Sequence, residues 1–246
     1  MNKFLIFLTS CVNPLNGIPS TVIVDFLERK DHYITTINWY LNNTTFDIAI
    51  IDNSGFNWNE YIEDKDKHRF VIVDYFLPEN FELKKGKGYG EGLIISRLAS
   101  HKQIFKYDFI IKISGRHIVE NINMLIYPYY FFYRKKYVSA IWDYKNNFAV
   151  TDFFLFSPSF LTDIFIKRLN DIDESKNLYI EHILSESIKT SIHSFRYKYI
   201  FLLQPLIQVG YSGTTGAKLQ NKPCLKSRCA FLKNFIVSIC CSRFYN

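Results

Sequence analysis

Residues 106–117, Lys-Tyr-Asp-Phe-Ile-Ile-Lys-Ile-Ser-Gly-Arg-His, carry an apolar run into a small, polar, cationic tip. Side chains alternate along a strand, so Phe109, Ile111 and Ile113 are expected on one face and Ile110, Lys112 and Ser114 on the other. If the strand persists to its tip, Lys112, Ser114 and Arg116 share a face, and Gly115 lets the backbone turn sharply or approach a ligand closely. A guanidinium offers a fork of donors matched to phosphate oxygens and a lysine adds a point charge, so this tip is equipped to hold an anion. A strand whose end merely happens to be charged is the plainer alternative. A second candidate lies in Lys84-Lys-Gly-Lys-Gly-Tyr-Gly-Glu-Gly92, where Lys87, Gly88 and Glu91 precede a helix expected over 93–102. Free amides at a helix N-terminus favour a phosphate, so this run is read as an anion cradle or as a flexible basic loop. It matches neither G-x-x-x-x-G-K-[ST] nor G-x-G-x-x-G. Among the acids, Asp152 lies beside an apolar strand, where a carboxylate can acquire a raised pKa suited to taking a proton. Glu181 and Glu186 fall on a helix expected over 178–188.

The elements that must position these residues alternate in type. Short apolar runs predict strands at 4–9, 46–51 and 70–73, and a helix is expected over 31–41 from the spacing of Ile34, Ile37 and Leu41. Strand, helix, strand with short links implies right-handed βαβ units and a parallel sheet. Residues 121–132 read as a helix interrupted at Pro128. Residues 137–142 and 148–156 read as strands, antiparallel through the turn at 143–147. Ser157-Pro158 supplies an N-cap and a first-turn proline for a helix to about 169. A late strand is expected over 201–207, and Gly210-Tyr-Ser-Gly-Thr-Thr-Gly216 reads as a hydroxyl-rich loop. The charged stretch 60–67 is read as a solvated helix or loop.

With 246 residues, 48% of them hydrophobic and 22% charged, the chain can bury a sizeable core and is not of disordered composition. The net charge of +7 favours an anionic partner: nucleic acid, an acidic membrane surface or a phosphate-bearing substrate. Five cysteines without a C-x-x-C argue against a disulfide framework and for a reducing compartment. The late cluster Cys224, Cys229, Cys240 and Cys241 has no zinc-module spacing. The apolar run at 4–8 is shorter than a signal peptide needs and reads as a first strand, and no run reaches the length of a membrane span. From Lys222 onward there is no acidic residue. This basic amphipathic segment suits an anionic bilayer, or else packs as a terminal helix on the domain. One domain over 1–220 with a basic extension over 221–246 is therefore expected.

Laid end to end, the pieces over 4–216 resemble a GT-A type glycosyltransferase, an α/β fold with a mostly parallel, helix-flanked sheet that binds a nucleotide-sugar. Gly86–Glu91, Lys112-Ile-Ser-Gly-Arg116, Asp152-Phe-Phe-Leu-Phe-Ser-Pro158, Tyr179-Ile-Glu-His182 and Tyr211–Gly216 together look like a group of bacterial enzymes that assemble O-antigen or capsule. The resemblance implies that Asp52 and Asn53, at the end of the second strand, contact the nucleoside. It places Lys87, Gly88 and Glu91 at the nucleotide-binding helix, and Lys112, Ser114, Gly115 and Arg116 where most members carry a metal-holding Asp-x-Asp. Those acids are absent here. Ser212 and Thr214 join the donor site, and an acid near the acceptor, Glu181, becomes the favoured general base with Asp152 behind it.

Glycosyl transfer must stabilise a departing phosphate and deprotonate an acceptor hydroxyl. Without the metal-binding acids, Arg116 is expected to take the first task, so no metal and no cofactor are expected. A monophosphate leaving group needs less positive charge than a diphosphate, which favours a CMP-linked, sialyltransferase-like donor. The implied partners are a nucleotide-sugar and a glycan or lipid-linked glycan acceptor, met in the cytoplasm or at the inner face of the membrane. A nucleic-acid binder is disfavoured because the lysines are dispersed and no binding motif appears. A catalytically silent scaffold is the other rival.

Overall fold

The computed structural model describes residues 2–220 apart from 16, 20, 80, 132–135, 195, 201, 203 and 214. The basic segment 221–246, Thr214 and the cysteines after Cys11 lie outside the described residues. Strand β1 (Phe4–Ser10) is buried along its whole length and sits between β2 (Asp47–Asp52) and β4 (Phe109–Ser114), parallel to both. Beyond β2 lies β3 (Phe70–Tyr75), again parallel. On the other side β7 (Phe148–Phe156) runs antiparallel to β4 and to β6 (Tyr137–Asp143), and β8 (Lys198–Tyr199) closes the edge. The order β3-β2-β1-β4-β7-β6-β8 makes a seven-stranded, mostly parallel mixed sheet. A second, three-stranded sheet joins β5 (His117–Val119), β9 (Gln208–Tyr211) and β10 (Lys218–Gln220).

Alternation along the central strands sorts the core into two layers. Leu5, Phe7 and Ile110 face one way, onto Ile94, Ile95 and Leu98 of α2 (Gly86–Ala99) and Ile183, Leu184 and Ile188 of α5 (Ile180–His193). Phe4, Ile6, Leu8, Phe109, Ile111 and Ile113 face the other, onto Tyr33, Ile37 and Tyr40 of α1 (Phe26–Asn43) and Leu125 and Ile126 of α3 (Ile122–Ile126). Each such side chain contributes about 1.5–3 kcal/mol on burial, so the two apolar faces set the register of strands that have no solvent face at all. Between β7 and α5 the helix expected to about 169 is only α4 (Pro158–Phe160), followed by a π turn and a 3-10 turn; Pro158 opens it as the sequence predicts, but Ser157 makes no side-chain cap hydrogen bond.

Several element readings change, and the helix expected over 121–132 is a short α3 followed by a 3-10 turn at Tyr127–Phe131. Helix α1 begins five residues earlier than expected, because Asp25 caps it by accepting the Glu28 amide at 2.8 Å. Helix α2 starts inside the glycine run, at Gly86, rather than after it. The late strand is β9 at Gln208–Tyr211; of the 201–207 expected, residues 202 and 204–207 are not strand, and 201 and 203 lie outside the described residues. The charged stretch 60–67 is 3-10 turns with solvated ion pairs such as Lys67–Asp64.

Candidate functional site

The parallel strands end on one edge, and there a cleft of about 160 Å³ opens between the tips of β1, β2 and β4. Such carboxyl edges are where open α/β sheets take ligands. Among the residues singled out from sequence, Asn53, Lys87, Glu91, Ser114, Gly115, Arg116 and Asp152 line it. Asp52, Gly88, Lys112, Glu181 and Ser212 do not.

Arg116 reaches the cleft by a different route from the one alternation predicts. Strand β4 stops at Ser114, and Gly115 turns the chain, its amide donating to Thr9 O at 3.0 Å. A side chain there would put its Cβ 2.5 Å from that same oxygen and 2.8 Å from the Tyr33 ring, so only glycine allows the approach. Arg116 therefore leaves the Lys112 face and lies over Tyr33 on α1, its guanidinium carbon 5.9 Å from the ring centroid. Its Nη1 is buried and has no hydrogen-bond partner among the described residues. Burial weakens the guanidinium's hold on its proton and the nearby Arg29 cation acts in the same direction, while Tyr33 opposes them. An arginine remains protonated regardless, so the result is a desolvated cation with one donor unspent.

Arg29 is the second cation of the cleft and was not singled out from sequence, since it precedes the helix expected over 31–41 and joins α1 only through its earlier start. It is 4% exposed. Its Nε donates to Cys11 O at 2.8 Å and its Nη1 to Ile23 O at 2.8 Å, and Nη2 also bonds Cys11 O. Among the described residues neither Arg29 nor Arg116 has a carboxylate within ion-pair distance. Burial pushes the adjacent Cys11 thiol up to about 11, which removes it as a nucleophile near neutral pH.

Lys112 corrects an expectation. It is fully buried, its ammonium ion-paired with Glu91 and donating to Thr151 O at 2.6 Å and Ser114 Oγ at 3.3 Å. All its charge is spent inside the sheet, and it holds Glu91 at the cleft wall, where Glu91 also accepts from Thr9 Oγ1 at 3.2 Å. Asp52 is likewise internal. Its Oδ2 accepts from Ser10 Oγ at 2.7 Å and Val12 N at 3.0 Å, and its Oδ1 from Ser54 N and Oγ, each at 2.6 Å, and Phe56 N at 3.1 Å. No lone pair remains for a nucleoside, and the carboxylate instead ties the loops after β1 and β2 together.

The glycine run is occupied from within the chain. Glu174 reaches across from a turn before α5, and its Oε1 accepts the Gly88 amide at 2.7 Å. Gly86 sits at φ 79°, a backbone conformation that favours glycine, beside the Glu174 carboxyl. The helix terminus read as an anion cradle is thus filled by a side-chain carboxylate, and Gly88 is not available to a donor. Lys87, which lines the cleft, stands beside it.

Of the two acids proposed as base, Asp152 faces the cleft and Glu181 does not. Asp152 is half-exposed, accepts from Ser114 Oγ at 3.1 Å and stands 3.8 Å from His117 Nδ1. His117 donates from Nε2 to Tyr211 O at 3.1 Å and accepts from Gln208 Nε2 at 2.6 Å, and burial holds its pKa below the ordinary value against the pull of Asp152. It is therefore a neutral post that fixes β5 to β9. Glu181 accepts from Thr151 Oγ1 at 3.1 Å, and burial, with Glu91 and Asp152 nearby, raises its pKa. A folded pKa above the unfolded value of 4.5 means the fold binds this proton more tightly than the unfolded chain does. Its contribution to stability is complete below that value and is lost as pH rises through the raised folded pKa. Glu181→Gln is accordingly expected to raise the melting midpoint at pH 7, where the buried carboxylate is disfavoured. It should also flatten the midpoint's pH dependence above the unfolded value of 4.5. A variant that melts lower at pH 7 would show the carboxylate to be a structural asset instead.

Ser212 closes the β9–β10 turn, its Oγ accepting the Thr215 amide at 3.2 Å, while its neighbour Gly213 meets the Arg116 guanidinium. Thr214 falls outside the described residues. At the position where the resemblance would put a divalent cation the chain offers Ser114, Gly115 and Arg116, and a guanidinium cannot ligate a cation. Among the described residues no group of three His, Cys, Asp or Glu side chains is placed to hold a metal ion.

No family model matches this sequence, and no curated protein matches it. Solved structures with similar folds include an active-site mutant of LgtC, at 10% identity and a TM-score of 0.49, with 94% of each chain covered. Another is the glycosyltransferase GlyE of Streptococcus pneumoniae TIGR4, at 11% identity and a TM-score of 0.47 over 81% of this chain and 45% of that one. A third is residues 1–349 of S. aureus TarS in complex with UDP-GlcNAc, at 11% identity and a TM-score of 0.46 over 88% and 62%. This chain spans less than half of GlyE, and likenesses of this depth assign no residue and no substrate. What stands on the strand order itself is an α/β fold built on a mostly parallel seven-stranded mixed sheet flanked by helices.

Proposed function

We propose that the chain is a glycosyltransferase that moves a sugar from a nucleotide-sugar to an acceptor hydroxyl, with Arg116 neutralising the leaving phosphate in place of a metal. The observation that carries this is the desolvated Arg116 guanidinium at the sheet's carboxyl edge, with Nη1 unpartnered and no carboxylate beside it among the described residues. Preorganised donors in a low-dielectric site act on charge that develops in the transition state, and a fixed fork does so without reorganisation. Arg29 adds to the positive potential, while Glu91 is offset by Lys112. With one unspent guanidinium donor the cleft suits a monophosphate better than a diphosphate, so a CMP-linked sugar is the donor to test first. The acceptor is a hydroxyl of a growing or lipid-linked surface glycan. Asp152 takes its proton, being the half-exposed acid that shares the cleft with Arg116. No helix among the described residues is long and apolar enough to cross a membrane.

A ligand that binds only the folded state raises its melting midpoint, so CMP, UDP, GDP and dTDP are compared with and without excess chelator. CMP is expected to protect, and to protect equally in chelator. Protection or turnover that appears only with manganese or magnesium overturns the role of Arg116, and no protection by any nucleotide overturns the reading as a whole. Asp152→Asn is expected to keep CMP protection and lose about 10²–10⁴ in kcat, the usual worth of a general base. Unchanged kcat in that variant returns the base to another group.

A further inference from the structure

The cleft occupies one end of the parallel strands, and the other end carries a different chemistry. Register runs unbroken across the sheet there. Leu5 lies opposite Ile110, Ile110 opposite Phe156, Phe156 opposite Val138 and Val138 opposite Tyr199. Strands β1, β4, β6 and β8 all run in the same direction, so the residues just ahead of them emerge together at one edge. Lys3 precedes β1, and Lys102 and Lys106 bound a 3-10 turn (Lys102–Lys106) that leads into β4. Lys136 precedes β6, Arg196 lies just ahead of β8 and Lys198 opens it. All six are exposed, and among the described residues none has a carboxylate within ion-pair distance. The acids nearby are engaged within the fold. Asp108 is buried and accepts the Lys3 amide at 2.8 Å, Asp47 accepts from the Tyr107 hydroxyl at 2.6 Å, and the exposed Asp163 from that of Tyr197 at 2.8 Å. Further out, ahead of β3, Glu63 and Asp64 pair with Lys65 and Lys67.

Aromatic rings project among these cations. Phe105, in the same turn as Lys102 and Lys106, is 57% exposed, and Tyr127 and Phe131 are 63% and 61% exposed. The last two belong to the 3-10 turn after α3, where their rings meet edge-on at 5.4 Å. That turn is held at the start of β1, because Asn2 Nδ2 donates to Tyr129 O at 2.6 Å and the Phe4 and Tyr130 rings pack 4.9 Å apart. A single exposed ring is ordinary. Rings interspersed with unpaired cations along one edge have the composition of a surface that lies on an anionic bilayer, where aromatic side chains enter the headgroup boundary and Lys and Arg meet lipid phosphates. A strand of nucleic acid follows a basic groove instead. Here the cations spread across five strands, about 20 Å of sheet edge, and the cleft lies at the other end.

We infer that this edge is a docking surface for an anionic lipid bilayer, with Phe105, Tyr127 and Phe131 entering the headgroup region. The surface belongs to the folded domain and is separate from residues 221–246, and it does not depend on the reaction assigned to the cleft. The cleft opens at the opposite ends of the strands, about 20 Å away along the seven residues of β1, so a docked chain presents it to the side facing away from the bilayer.

The test mixes the full-length chain with vesicles of phosphatidylcholine and phosphatidylglycerol, or of phosphatidylcholine alone, and reads binding by cosedimentation. The wild-type chain is expected to bind the anionic vesicles and not the neutral ones. A cation near an anionic surface contributes about fivefold in affinity, so Lys102→Gln with Lys106→Gln should weaken binding about 25-fold. Lys84→Gln with Lys145→Gln removes the same charge from the cleft end, ahead of α2 and in the turn joining β6 to β7. Those sites lie beyond the screening length of about 10 Å, and binding should change less than about twofold. Phe105→Ser with Phe131→Ser keeps the charge and should abolish the part of the binding that survives high salt. All these positions are exposed, and a melt of each variant close to wild type verifies the fold. No binding of the wild-type chain to anionic vesicles, including the case in which it binds an oligonucleotide instead, overturns the inference. Equal loss in the two lysine pairs also overturns it, by assigning the attraction to net charge. Unchanged binding in the edge lysine pair, which assigns it to residues 221–246, or salt resistance that persists in the serine variant, overturns it as well.

Discussion

Arg116→Ala is expected to lower turnover by about three orders of magnitude while leaving the fold intact. Removing a preorganised donor aimed at developing charge costs about 10²–10³ in kcat, and an arginine that neutralises a leaving phosphate is worth about 10³–10⁵. Stability should hold because the guanidinium is a desolvated cation with an unspent donor, so its loss relieves as much as it removes. Arg116→Lys separates charge from geometry. Lysine restores the cation without the planar guanidinium, so partial recovery is expected, because the two residues are not interchangeable where donor geometry is fixed. The measurement is kcat with a CMP-sugar alongside a melt, and near-normal turnover in Arg116→Ala would remove the basis of the proposed chemistry.

Lys112→Met produces the largest expected change in stability. The ammonium is wholly enclosed, and its removal strands the Glu91 carboxylate against Thr9 and the sheet. Breaking a buried pair by deleting one partner costs about 3–5 kcal/mol, a large part of the roughly 5–15 kcal/mol that holds a domain together. A fall of about 10 °C or more in the melting midpoint is expected. Replacing both partners by apolar groups of similar volume is often neutral, so Lys112→Met combined with Glu91→Leu should recover most of the loss. The double variant is read for stability alone, since Glu91 also forms the cleft wall. A single variant that melts like wild type would mean that the pair contributes nothing to the fold.

The central strand was legible because both of its faces are buried. Phe109, Ile111 and Ile113 fall in one apolar layer and Ile110 in the other, as a period of two requires. The same rule failed one residue further on. It assumed that the strand continued past Gly115, whereas the close approach of Gly115 to Thr9 O ends it and swings Arg116 to the α1 side. The glycine run was recognised as special, but not what it makes room for, because Glu174 lies 86 residues away from Gly88 in the chain. Asp52 and Asn53 are adjacent in sequence and opposite in fate. One carboxylate is saturated by its own loops, and the next amide keeps an oxygen unpaired. Nothing in residue type separates them, since only the folded loop decides where each points. Glu181 and Asp152 are likewise separated only by the fold, which turns one acid into the cleft and the other away from it.

The small sheet of β5, β9 and β10 has a consequence for the order in which the molecule matures. The four contiguous parallel strands β3, β2, β1 and β4 are all encoded within the first 114 residues, and chains generally fold from the N-terminal end as they are made. Yet among the described residues His117 and Val119 find their strand partners in Gly210 and Gln208, and Gly213 closes beside Arg116 from the same late stretch. A nascent chain still lacking its last forty or so residues can hold the main sheet but not a finished cleft, so a truncated translation product would be compact and inert.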